Sequence, residues 1–400
     1  MRYFEQTCAG LSLIELMIAI AIALIMSLAI FLTLASSEAN KRRLLSSNDT
    51  NQVGDYVAYQ IDKLIRSAGS GFSQSASATY GCPLRANLAG RGVILPFTGT
   101  MAAPFTTLNL AFNGSYVLAP VIIVKNGTVP GVSASTTSTA RSDALIIMAG
   151  ASGFGEVPTL LNTGNSASQI NLQNTVSFRA GDLVLVGDTP PLSSPRPCVV
   201  QQVSDPITDT SLTLSGDYAA NPISGADLAT YSPSTQSAQV FNLGSAKPVN
   251  PPSFTILGVG DNNNLLQYDL LQMGTYNEPQ ALADGVFEMH ALYGISAAAA
   301  PNGKVDSWIE PDAVGYDAAT LETGSTGLTA LTNRILAIRV GLILRTNLAE
   351  KTPASTAPIT LFSDLGSGLT YTRTLNVAEQ NYRYRTVEMT IPLRNVLLQN

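Results

Sequence analysis

The sequence predicts an α+β protein, in which one long helix near the amino terminus packs on a β-rich globular domain. Three observations predict it. Residues Leu11 to Leu34 form an apolar run in which only Glu15 is charged. Apolar residues then recur at helical spacing as far as Ala68, with no proline between Leu11 and Cys82. Beyond Ser70 the pattern changes to short runs of β-branched and aromatic residues, separated by Gly, Pro, Asn and Ser.

The apolar run is long enough to cross a membrane. Its 24 residues, at about 1.5 Å each, cover roughly 36 Å against a hydrocarbon thickness of about 30 Å. A carboxylate placed in lipid costs on the order of 2–3 kcal/mol or more, so Glu15 requires a cation. Cleavage after Gly10 would create one, the α-amino group of Leu11, and Glu15 lies four residues later on the same helical face. The amino end of a neighbouring copy would serve equally. The alternative is an ordinary signal anchor whose Glu15 reaches back to the headgroups. A cleavable signal peptide is disfavoured, because Glu15 interrupts the apolar region and no small-x-small site precedes a polar mature start. Lys41, Arg42 and Arg43 follow the span while the leader offers only Arg2, which by charge alone would place the carboxyl-terminal side in the cytoplasm.

The helix is expected to continue from residue 35 to 69 as an amphipathic segment. Val53, Tyr56/Val57, Gln60/Ile61, Leu64/Ile65 and Ala68 form one stripe, suited to packing on a sheet. Gly54 costs about 1 kcal/mol against Ala in a helix interior and is read as a bend, with Gly69 and Gly71 ending the helix. Strands are expected at Tyr116–Lys125, Ala144–Met148, Asp182–Val186, Cys198–Val203, Ser211–Leu214, Phe254–Leu257, Leu265–Leu271, Gly285–Tyr293, Arg334–Arg345 and Tyr382–Leu393. Asn126–Arg141 and Asp188–Pro197 read as exposed loops. In Arg334–Arg345 the alternation of Ile338, Val340, Leu342 and Leu344 suggests a central strand with one apolar face, and Arg339 and Arg345 structural ion pairs or a place at the sheet margin, the alternative being a contact with a partner subunit.

With 12% charged residues and a net charge of −6, the chain has no domain-wide basic surface, and direct nucleic-acid binding is not expected. Cys8 would leave with a leader. Cys82 and Cys198 remain and suggest a disulfide in an oxidising compartment, the alternative being two separate buried thiols. Such a bridge would contribute on the order of 4–5 kcal/mol in the chain-entropy view.

The segment Gly10-Leu11-Ser12-Leu13-Ile14-Glu15-Leu16-Met17 resembles the processing site of type IV prepilins and type II secretion pseudopilins, with Leu11 and Ser12 as mild departures from the usual Phe-Thr. The resemblance implies cleavage after Gly10 by a prepilin peptidase, methylation of the Leu11 amino group, and use of Glu15 in assembly. Distal blocks resemble the PilW-type minor pilins. They are Ile61–Gly69 with Gly81-Cys82, Gly181–Val186, Leu282–Val286 with Tyr293-Gly294, Ile338–Thr346, and Tyr382–Arg385 through Ile391–Asn395. What this implies is a pilin-like chain: a leader over 1–10, a membrane and filament-core segment over 11–34, an amphipathic continuation over 35–69, and a periplasmic minor-pilin domain over 70–400. It further implies priming of pilus assembly and a place at the pilus tip. The partners implied are other minor pilins, the major pilin, a tip adhesin and the inner membrane, in support of twitching motility, adhesion or DNA uptake. A large type II secretion pseudopilin is the nearest alternative, and a membrane-anchored periplasmic enzyme or carbohydrate-binding module a more distant one.

Catalysis finds little support in the residues, and no catalytic residue, metal ligand or cofactor is assigned. His290 is the only histidine and sits in an alternating strand, where a hydrogen-bonded structural role is favoured. G-x-S-x-G, the P-loop motif and a helix-opening G-x-G-x-x-G are absent. Asp261-Asn262-Asn263-Asn264 is thin for calcium and reads as a turn, and Asp306, Glu310 and Asp312 lack EF-hand spacing.

Overall fold

The computed structural model describes residues 12–75, 79–97, 99, 101–108, 116–128, 142–152, 157–187, 197–219, 228–231, 238–247, 250–273, 278–297, 303–321 and 334–397. A single helix, α1 (Leu13–Ser67), runs without interruption from the apolar segment into the β-rich domain. Val57, Ile61, Ile65 and Ala68 are fully buried on its inner face, flanked by the half-buried Val53 and Leu64. Tyr56 departs from the expected stripe. It is 46% exposed, because a turn of 3.6 residues carries position 56 around to the outer face once Val57 points inward.

Gly54 is a correction of a different kind. The helix does not break there; instead a Cβ on Gly54 would lie 2.6 Å from Leu344 Cδ1 and 3.4 Å from Val387 Cγ2, so the glycine lets helix and sheet approach closely. At the other end Gly69, with φ of 82°, turns the chain away, and its N–H bonds Met148 O at 2.8 Å. Asn395 Nδ2 caps the terminal carbonyls of Ser67 (3.3 Å) and Ala68 (2.9 Å).

Nineteen strands among the described residues build the domain. They are β1 (Leu84–Leu88), β2 (Gly92–Leu95), β3 (Val121–Thr128), β4 (Ser142–Ala149), β5 (Thr159–Leu160), β6 (Gln169–Asn171), β7 (Asp182–Gly187), β8 (Cys198–Ile207), β9 (Ser211–Leu214) and β10 (Gln239–Ser245), then β11 (Ser253–Val259), β12 (Asn264–Asp269), β13 (Gln280–Asp284), β14 (Val286–Ile295), β15 (Ser307–Ile309), β16 (Ile335–Arg345), β17 (Ile359–Leu361), β18 (Tyr371–Arg373) and β19 (Tyr384–Pro392). The sheet nearest α1 has the order β15-β14-β16-β19, and a second has the order β13-β12-β11-β4-β3. The third follows β2-β1-β8-β7-β10-β5, with β9 pairing both β8 and β6. Two short helices, α2 (Ala318–Leu321) and α3 (Arg394–Leu397), also lie among the described residues.

One continuous core joins α1 to all three sheets, and in it Phe72 makes edge contacts with Tyr80 (5.9 Å between centroids) and Phe254 (6.3 Å). A smaller core between β5–β10 gathers Leu161, Ile170, Val184, Val199, Leu212 and Tyr231. The described pairings are antiparallel except that of β1 with β8, where Leu84 faces Cys198. At that point Cys82 and Cys198 are bridged, with their Cα atoms 5.7 Å apart and a separation of 116 in sequence.

The central strand β16 has the one apolar face expected, and its second face, which carries Arg339 and Arg345, is covered as well. Ile338, Val340, Leu342 and Leu344 enter the main core, while Ile343 meets Leu292, Leu361 and Phe362 under the β17–β18 hairpin. The expected strand at Tyr116 begins only at Val121, and the loop expected at Asn126 is strand to Thr128; residues 129–141 and 188–196 of the two expected loops lie outside the described residues.

Candidate assembly site

From Ser12 to Glu38 every residue of the chain is exposed, including Leu13, Ile14, Leu24, Ile25 and Phe31. The most apolar window of α1 has a mean hydropathy of 2.8 and none of it is buried. Soluble monomers rarely expose apolar patches beyond a few hundred Å², so a bare apolar rod requires lipid or other helices around it. By length and composition the helix is able to cross a membrane.

Glu15 lies in the first turn of this rod. Ser12 opens the helix with extended backbone and its carbonyl accepts from Glu15 N (3.0 Å) and Leu16 N (3.1 Å), but its side chain caps nothing. Glu15 thus shares the first turn with the positive end of the helix dipole. Glu15 has no ion-pair partner among the described residues, and Gly10 and Leu11, the expected processing pair, lie outside them.

Polar contacts fasten the lower half of the helix to the domain. Arg385 Nη1 donates to Asn51 Oδ1 (2.8 Å), and its Nη2 stands 3.8 Å from Asp55. Arg43 Nη2 lies 3.3 Å from Glu350, which also accepts from Arg383 Nε, and the Arg383 bond holds the Glu350 carboxyl below its usual range. Exposed pairs of this kind contribute about 0–1 kcal/mol each, so they set the position of the helix more than its stability.

The sites weighed for chemistry resolve into structural contacts. His290 is buried, stacked on Tyr371 at 3.7 Å, with Nε2 3.5 Å from Glu288 and Nδ1 3.8 Å from Asp143. Glu288 accepts from Tyr371 Oη (2.8 Å) and Arg373 Nε (2.7 Å), and Arg373 bridges on to Glu379 (2.8 Å). Burial pushes the Asp143 carboxyl up, although it accepts from Asn126 N and Ala291 N. This network pins the β17–β18 hairpin over β14 and β16. It draws residues from Asp143 to Glu379, and no local spacing announces it.

Arg339 pairs with Asp364 through two nitrogens (2.9 and 2.7 Å) and with Glu388 (2.8 Å); burial opposes its charge, but these partners raise its pKa overall. Arg345, at the end of β16, has no carboxylate partner among the described residues and instead lies over Tyr382 (4.2 Å) and near Phe287 (5.4 Å). Asp261–Asn263 is a tight turn between β11 and β12, with Asn262 and Asn263 at positive φ. Glu310 and Asp312 both pair with Lys125, and Asp306 accepts from Ala297 N. Among the described residues no group of three His, Cys, Asp or Glu is placed to hold a metal ion.

Comparison with known sequence families returns two matches. Residues 6–31 match the prokaryotic N-terminal methylation motif, which spans Gly10, Leu11 and Glu15. Residues 256–395 match the family described as Type IV Pilus-assembly protein W. The blocks at Leu282–Val286, Ile338–Thr346 and Tyr382–Asn395 fall inside that range, while those at Ile61–Gly69 and Gly181–Val186 fall outside it. No curated protein and no solved structure matches the chain. A methylation motif on a bare apolar helix, joined to a β-rich domain whose residues 256–395 match a pilus-assembly family, marks this chain as a pilin-like protein of pilus biology.

Proposed function

We propose that this chain is a minor pilin of the type IV pilus, held in the inner membrane by its amino-terminal helix and presenting residues 70–400 to the periplasm. A prepilin peptidase removes residues 1–10, and the methylated amino group of Leu11 opens the mature chain. Residues 11–34 occupy the bilayer before assembly and the filament core after it, with residues 35–69 continuing the helix on the domain. Glu15 neutralises the amino group of an adjacent subunit as each helix leaves lipid. The subunit primes assembly and joins other minor pilins and an adhesin at the tip, with the major pilin stacked beneath, in support of motility, adhesion or DNA uptake. The match to a pilus-assembly family favours this over a secretion pseudopilin.

The observation that carries the reading is the exposed apolar half of α1 with one carboxylate in its first turn. Outside lipid such a surface is satisfied only among other helices of the same kind. The test is a Glu15→Ala chain expressed beside its partner subunits. The mature amino terminus should still be a methylated Leu11 and membrane insertion should persist, while pilus number falls at least about tenfold, the equivalent of about 1.4 kcal/mol. Normal piliation by the variant, or a native chain that retains its first ten residues, would refute the assignment.

A further inference from the structure

Where α1 leaves its apolar stretch, the domain reaches down beside it. The loop after β16 is drawn against the helix by the contact of Arg43 with Glu350 (3.3 Å). Leu348 of that loop lines a groove shared with Arg42 and Leu45 of the helix. All three leucines at this level are exposed: Leu44 by 72%, Leu45 by 56% and Leu348 by 57%. Arg42 lines that groove, Lys41 precedes it on the helix and Lys351 follows Glu350 in the loop, all three exposed and with no ion-pair partner among the described residues, while Asp49 and Asp284 line the groove as well. Apolar side chains interleaved with unpaired cations, contributed by both helix and domain, have the composition of a surface that lies on a membrane interface.

The height along the helix agrees. Arg42 is eight residues past Leu34, about 12 Å along the axis, and the headgroup layer occupies about 5–8 Å beyond the hydrocarbon. Side chains on a helix lean toward its amino terminus, and Lys and Arg extend further to reach a charge, so the cations close the remaining distance. We propose that Lys41, Arg42, Leu44 and Leu45 of α1, with Leu348 and Lys351 of the loop, form a docking patch for anionic phospholipid headgroups that seats the domain on the bilayer. The proposal rests on the membrane-anchored reading above. It also gives a physical role to basic residues whose side of the membrane runs against a simple charge rule: Lys41 and Arg42 bind phosphate and Arg43 holds Glu350, rather than setting topology.

The test uses the full chain with Cys8→Ser and Leu348→Cys, carrying an environment-sensitive fluorophore at 348, in vesicles of phosphatidylcholine alone or with phosphatidylglycerol. A second chain is labelled at Val176→Cys. Val176 neighbours Ser177, whose carbonyl accepts from Asn242 Nδ2 (2.6 Å), and Asn242 packs beside Gly71 past the far end of α1. Phosphatidylglycerol should bring the 348 label within reach of a headgroup-attached quencher and leave the 176 label in water. Lys41→Gln and Arg42→Gln should each lower the docked fraction relative to the undocked by roughly fivefold at low salt, and added salt should do the same. Leu44→Ser, at a position 72% exposed and with the 348 label retained, should likewise lower the docked fraction and serves if the charge variants misassemble. A 348 label that stays in water in both vesicles, or quenching indifferent to the charge changes, overturns the patch alone. Equal quenching at 176 also overturns it, since the domain would then lie on the membrane without preference. Release of the chain by alkaline carbonate overturns the anchoring, and the patch with it.

Discussion

Replacing Gly54 by Ala, alone and together with Leu344→Ala, tests how closely the helix must approach the sheet. The added methyl would stand 2.6 Å from Leu344 Cδ1, where apolar carbons normally meet at about 3.5–4.0 Å. Leu344 is fully buried, so its side chain has no solvent to swing into, and overpacking of this kind costs about 1–3 kcal/mol. Against that, Ala gains about 1 kcal/mol over Gly in a helix interior. Gly54→Ala alone should therefore destabilise by about 0–2 kcal/mol, and Leu344→Ala alone by about 2–5 kcal/mol through the cavity it leaves. In the double variant the new methyl enters that cavity and the helix gain survives. The pair should then be less destabilised than the sum by about 1–3 kcal/mol. Urea titration of the detergent-solubilised chain, followed through Trp308, the only tryptophan, and by far-ultraviolet circular dichroism, reads the cycle. Additivity within about 0.5 kcal/mol, or a Gly54→Ala chain stabilised by the full helix gain, would refute close packing at this seam.

Two further expectations concern the domain. Intact-mass measurement without reductant should show Cys82 joined to Cys198, and Cys82→Ser should cost about 2–5 kcal/mol; two alkylatable thiols in the native chain would reject the bridge. Burial pushes the Asp269 carboxyl up to about 6, despite bonds from Leu271 N (2.9 Å) and Met273 N (2.8 Å). Because the folded state holds this proton more tightly than the unfolded chain, the stabilisation is complete below about pH 4 and lost as pH rises through about 6, by roughly 2–3 kcal/mol. Asp269→Asn should remove that increment, so the stability gap between native and variant should change by about that amount from neutral pH to about pH 4; a gap independent of pH would contradict the burial.

Much of the architecture was legible because each element carried its own periodicity. The helix was readable to within two residues at either end, from Leu13 to Ser67, since an apolar run, a 3.6-residue stripe and two glycines all agree. Ser211–Leu214 matched its strand, and Arg334–Arg345 differed from β16 by one residue. Strands such as β10, β13, β17 and β18 went unread. Their short or polar runs acquire strand character only from a neighbour: Gln239–Ser245 is placed by its pairing with β7, and Tyr371–Arg373 by its pairing with β17 and by lying over Glu288 and Leu292. The polar network around His290 was illegible for the same reason, since Asp143, Glu288 and Arg373 meet only after two sheets have packed.

Local chemistry thus determined the outline of this protein from the chain alone: a greasy rod with one carboxylate near its start, an amphipathic extension, and a strand-rich remainder. Those features follow from spacing along a helix or strand, which a linear string records. The folded arrangement decided why Gly54 is a glycine, what covers the second face of β16, and which loop descends beside Arg42 and Arg43. Each of these depends on what an element touches across space, and contact between segments hundreds of positions apart leaves no period in the sequence to read.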